Sequence, residues 1–138
     1  MKRLSLVLAL AAVVCMLGVS LAAITGGETP KRVTIQYSDS TNVITVHPDT
    51  VRIGKSALEE IDWRCPNGDV EIRFAKAGGG TPFVSGVFRI AKGGGASSGR
   101  VRSDAKVGIY KYSVIVTIPG RDPNDQPDPL DPEVQVDP

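Results

Sequence analysis

From residue 33 onward apolar and polar positions alternate in short runs. Val33, Ile35 and Tyr37 alternate with Thr34 and Gln36, and Val43-Ile44-Thr45-Val46 follows the turn-rich Ser38-Asp39-Ser40-Thr41-Asn42. Val51 and Ile53 flank Arg52; Ile61, Trp63 and Cys65 alternate with Asp62 and Arg64; Val70, Ile72 and Phe74 alternate with Glu71 and Arg73. Val87-Phe88-Arg89-Ile90, a long Ile109 to Ile118 run, and Val134 with Val136 complete the series. A period of two puts one face on a core and the other in solvent. Pro48-Asp49, Pro66-Asn67-Gly68-Asp69, Gly78-Gly79-Gly80 and Pro119-Gly120 break the runs as turns. Ser56 to Ile61 reads as one helical turn or a loop, and nothing else outside the N-terminal segment has helical periodicity. The pattern predicts an all-β domain, an antiparallel sandwich or barrel of seven to eight strands. Lys92 to Gly99 reads as a flexible loop, and Arg121 to Pro132, rich in proline, as an extended loop that resists pairing.

The N-terminal segment has a different pattern. Lys2 and Arg3 precede an apolar run from Leu4 to Val19, then Ser20, Leu21 and Ala22. A basic start, an apolar centre and small residues at −3 and −1 predict a Sec-type signal peptide over residues 1–22, cleaved after Ala22. The competing reading is an uncleaved anchor, since the run from Leu4 to Ile24 is just long enough to span. Cys15 follows Val13 and Val14, a poor lipidation context. The expected organisation is a signal peptide (1–22), a short linker (23–31) and one domain (32–138). The expected location is secreted or periplasmic, with no membrane span after cleavage.

Composition now narrows the chemistry. The 138 residues carry 16 Lys+Arg and 15 Asp+Glu, a net charge of +1, which gives no basic surface for nucleic acid. The chain has two Cys, two Met and one His. Removing the leader takes Met1, Met16 and Cys15, leaving Cys65 and His47 with no methionine. An exported chain with one Cys has no internal disulfide and must rely on its core.

The order of elements resembles the cupredoxin family. Val43 to Ile53 resembles its first paired strands, Trp63 its core aromatic, and Val70-Glu71-Ile72-Arg73-Phe74 the strand that opens with the first copper histidine. Gly108-Ile109-Tyr110-Lys111-Tyr112-Ser113-Val114 resembles the strand that leads to the copper cysteine. The likeness covers Thr34 to Val136 and extends to short exported bacterial proteins that close on Asp-Pro-x-Val-x-Val-Asp-Pro, here Asp131 to Pro138. It implies a Greek-key sandwich and, in most members, type 1 copper held by two His, a Cys thiolate and usually a Met. Here the first His position falls at Asp69, Ser113 stands at the Cys position, and neither His nor Met follows. Counting excludes a blue-copper carrier. Tyr110 and Tyr112 also resemble the tyrosine-corner strand of immunoglobulin-like sandwiches, the alternative fold, though paired cysteines are lacking.

Other chemistry is sparse. His47, Asp69 and Cys65 are the weak metal-ligand candidates; the bland readings are an edge histidine, a turn acid and a buried thiol. Ser103-x-x-Lys106 and Gly54-Lys55-Ser56 match fragments of acyl-transfer and phosphate-loop motifs without their context. Asp122, Asp125, Asp128 and Asp131 offer oxygen ligands at no known calcium spacing. Arg64, Arg73, Arg100 and Arg102 are interleaved with acids. No catalytic set assembles. The expectation is a non-catalytic binding or structural module without cofactor, whose partner is an unidentified protein or envelope component. It would act through Gly78 to Phe83, Lys92 to Arg100 and Arg121 to Pro132. The alternatives are a metal-handling envelope protein, non-blue copper or calcium, and a small secreted enzyme.

Overall fold

A computed structural model describes residues 29–138. The expected signal peptide, its expected cleavage point after Ala22 and most of the expected linker lie outside these residues. The strands are β1 (Lys31–Ser38), β2 (Val43–His47), β3 (Thr50–Gly54), β4 (Glu60–Arg64), β5 (Asp69–Phe74), β6 (Val87–Ile90), β7 (Gly95–Arg100), β8 (Gly108–Thr117) and β9 (Glu133–Asp137). Two short 3₁₀ turns, Lys76–Gly78 and Pro123–Asp125, are the helical segments among them. No helix of the described residues is long and apolar enough to cross a membrane.

The strands form a sandwich of a four-stranded sheet, β2-β1-β4-β7, and a five-stranded sheet, β3-β9-β8-β5-β6. Both are mixed: β1 runs parallel to β4 and β3 parallel to β9, which corrects the purely antiparallel expectation. β2 and β3 lie in different sheets, so the chain crosses between them at Pro48-Asp49. The alternating residues point inward as predicted. Val33, Ile35, Ile53, Ile61, Trp63, Ile72, Val114 and Val134 are fully buried in one core.

Three segments differ from their sequence reading. β1 begins at Lys31, inside the expected linker. Gly95–Arg100, expected as a flexible loop, is a paired strand, which brings the count to nine. Its small residues are what let it pack. A Cβ on Gly95 would lie 2.7 Å from Trp63 O and Arg64 Cδ. Ser98 is buried, and its Oγ accepts from Ile61 N at 2.8 Å where the β4–β7 register shifts. Finally, the proline-rich 121–132 segment does pair. Val114 N donates to Leu130 O, Leu130 N to Val114 O and Tyr112 N to Pro132 O. Proline removes donors, but its carbonyl still accepts.

Candidate functional site

The positions that would hold copper are not assembled. Asp69 opens β5 opposite Thr117, and its Oδ1 accepts from Lys92 N at 2.9 Å. Ser113 lies four residues back along β8, opposite Arg73, a separation of roughly 13 Å at the rise of a strand. Its side chain faces outward, where Oγ donates to Asp131 Oδ1 at 2.7 Å. The inward face of β8 carries Tyr110, Tyr112, Val114 and Val116 instead. Two residues past Tyr112, the interior position that a ligand would occupy is Val114, which has no donor atom. The residues present do not fit a type 1 copper ion.

The three weak candidates are also apart. His47 pairs with Thr34 on the outer face of the four-stranded sheet, and Asp69 is on the other sheet. Cys65 is fully buried, with its N donating to Gly94 O and its O accepting from Gly93 N. Among the described residues no three His, Cys, Asp or Glu side chains lie close enough to share a metal ion.

The remaining motifs have structural work. Ser56 Oγ donates to Pro138 O and Lys55 N to Asp137 O, fastening the end of β3 to β9. Lys106, in the loop before β8, accepts at its carbonyl from the Tyr110 hydroxyl at 2.8 Å. That bond runs four residues back along the chain, the geometry of a tyrosine corner. In the Asp-rich segment Asp122 caps the 3₁₀ turn by accepting from Asn124 N, and Asp131 holds Ser113. The arginines make no strip. Arg64 shares Asp62 with Arg32 on one sheet, and Arg73 shares Glu71 with Arg89 on the other. The Arg73 guanidinium holds the Glu71 carboxyl below its ordinary range, and Arg102 does the same for Asp104.

One end of the sandwich does gather polar side chains from distant segments. Tyr37 Oη donates to Asn42 Oδ1 at 3.0 Å. Arg121 Nη1 donates to Tyr37 Oη at 2.6 Å and to Asn42 Oδ1 at 2.7 Å, and its guanidinium lies 5.9 Å from the Tyr37 ring centre. Asn67 accepts from Tyr37 N and donates to Tyr37 O, so its amide replaces a missing strand partner. Gln126 fixes the Arg121 loop through Ile118 N, Ile118 O and Arg121 O. Beside this network is an open depression of about 500 Å³ between β1, β2 and the 65–68 turn. Gln36, Thr41, Thr45 and Val43 line it, and no charged side chain does. At the opposite end Leu58, Val107 and Pro138 line a second, more apolar depression of about 530 Å³ with Lys55, Ser56 and Ser103. Leu58 is held there at φ 52°, a left-handed conformation unusual for leucine.

Two of the expected recognition loops change role. Phe83 is fully buried and closes the core, and residues 95–100 are strand. The Arg121 to Pro132 segment stays at the surface. The sequence reading put Arg121 in a recognition loop but missed its bonds to Tyr37 and Asn42, and it missed Asn67 and Gln36 as site residues; the Asn67-Gly68 turn was the one visible signal for these. Against known proteins, the chain matches no family model, and no curated protein is significantly similar to it.

Proposed function

We propose that this protein is an exported, non-catalytic binding module built on a cupredoxin-like sandwich without a copper site. One observation carries the reading: most of the groups that could do chemistry are buried or engaged in structural bonds, while the open depression beside Tyr37 is lined by neutral side chains alone. Asp69, Ser113 and Asp131 hold backbone or each other, Cys65 is buried, and His47 lies on the outer face of the four-stranded sheet. Recognition without reaction needs only shape, apolar contact and a few placed hydrogen bonds.

The test is affinity capture from envelope extracts of the producing cell, comparing the wild type with Thr41→Lys and Gln36→Lys at the rim of the first depression. Loss of a captured component from the variants is the expected result. Equal recovery overturns this surface as the binding site. Elemental analysis of the native protein gives an independent check, and stoichiometric Cu, Zn or Ca overturns the metal-free reading.

A further inference from the structure

We infer that the free edge of β2 pairs antiparallel with β2 of a second copy of this chain, joining two four-stranded sheets into one. A sheet edge presents unpaired N–H and C=O groups, and natural proteins blunt it with charge, proline, bulges or cover. Four strands lie at sheet edges here: β2, β7, β3 and β6. β6 and β7 lie side by side across the gap between the sheets, with Arg102 N bonded to Pro82 O beside them. β6 also carries Arg89, and β7 meets its neighbour through a register shift. β3 approaches β1 and carries Arg52, ion-paired to Asp137 at 3.0 Å.

β2 has none of these protections. Its residues Val43-Ile44-Thr45-Val46-His47 include no Lys, Arg, Asp, Glu or Pro, and they pair with β1 without a bulge. Among the described residues no backbone hydrogen bond outside the β1 pairing involves them. Val43 is 49% exposed.

The absence of charge favours a second copy. A two-fold axis through Thr45 pairs all five residues: Thr45 with its equivalent, Ile44 with Val46, Val43 with His47. Every pair is neutral, and the β-branched pairs are favourable across strands. Each partner's His47 then reaches the wall of the depression beside Val43, where Gln36, Thr41 and Thr45 make no side-chain hydrogen bond among the described residues. An isologous interface of this kind closes at two copies.

The test is sedimentation of the purified protein, in the form the producing cell leaves it, across micromolar concentrations. The wild type should dimerise. Thr45→Lys sets like charges face to face at the axis and should weaken dimerisation at least about fivefold, whereas Thr34→Lys, on the same face one strand inward, should not. Register is read with Thr45→Cys. Facing residues lie about 4.5–5.5 Å apart, within disulfide range, and Cys65 is too buried to compete. Thr45→Cys should give a disulfide-linked dimer, with the wild type and Gln36→Cys remaining uncrosslinked. A wild type that stays monomeric throughout overturns the inference. So does a dimer that Thr45→Cys does not crosslink, or a monomer that takes up an added extended peptide on β2.

Discussion

Tyr37 and Tyr112 are both buried tyrosines on inward faces, and the two ends of the sandwich treat them in opposite ways. Tyr112 sits among Trp63, Phe74, Phe83 and Phe88, with ring centres 5.2 Å from Phe74 and 6.0 Å from Trp63. This region holds together by ring packing. It leaves two buried polar atoms, Tyr112 Oη and Trp63 Nε1, without a hydrogen-bond partner. Tyr37 instead has Asn42, Arg121 and Asn67 around it, and nearly every polar atom there is bonded. The first end is closed by shape and the second by polar complementarity. A substitution therefore acts on volume at one end and on bonding at the other.

The largest effect is expected where volume matters most. Trp63→Ala removes the ring that touches all four other members of the cluster and should cost about 3–5 kcal/mol in denaturant unfolding. A loss under about 1 kcal/mol would show that the cluster is loosely packed.

Alkaline pH separates the tyrosines next. Burial pushes Tyr112 from an ordinary value of 10 up to about 12, with the nearby indole N–H partly offsetting it and Asp49 adding to the rise. A raised folded value means that the neutral phenol is favoured by folding. Its contribution is complete below pH 10 and is lost as pH rises toward about 12, by roughly 2–3 kcal/mol. Unfolding measured from pH 9 upward should show that decline in the wild type and a shallower one in Tyr112→Phe. At neutral pH the same variant should lie within about 0.5 kcal/mol of the wild type, because the hydroxyl that it removes has no partner.

Gly95→Ala probes the strand laid over Trp63. The added methyl meets a backbone oxygen as well as a side chain, so it should destabilise by about 1–3 kcal/mol. A smaller loss than at Gly95 is expected at the polar end. Tyr37→Phe strips a bonded hydroxyl and should cost about 1 kcal/mol, the reverse of the near-neutral result at Tyr112. Equal effects of the two Tyr→Phe changes would erase the contrast between the ends.

These regions were not equally legible in the sequence. The strands with strict alternation were plain because each buries one face, and Val33 to Tyr37 and Val70 to Phe74 are inward as their spacing predicts. β7 was not plain, because it packs by smallness: Gly95, Ser97 and Gly99 give no apolar period, yet Gly95 fits where a Cβ cannot. The 121–132 segment was misleading because its prolines cannot donate, while Pro132 bonds through its carbonyl and Leu130, between prolines, both donates and accepts. Ser113 was placed at a ligand position by its neighbours in sequence, and only the register of β8 shows that Val114, not Ser113, faces the interior. The bonds that join the Arg121 cluster had no local signal. Its bonds to Tyr37 and Asn42 join residues 84 and 79 positions apart. Polar contacts of that reach leave no periodic trace.

The placement of β9 governs when the protein can finish folding. β9 lies between β3 and β8, and its pairing of Thr50 with Glu133 spans roughly eighty residues. A chain delivered from its N-terminal end, by a ribosome or through a membrane pore, therefore carries β3 without a partner until those residues have arrived. Long-range parallel pairing is slow to close and leaves an incomplete edge open to other chains. The five-stranded sheet thus acts as a completion check: partial products stay open and pliable, and the rigid molecule exists only once the distant strand has been inserted.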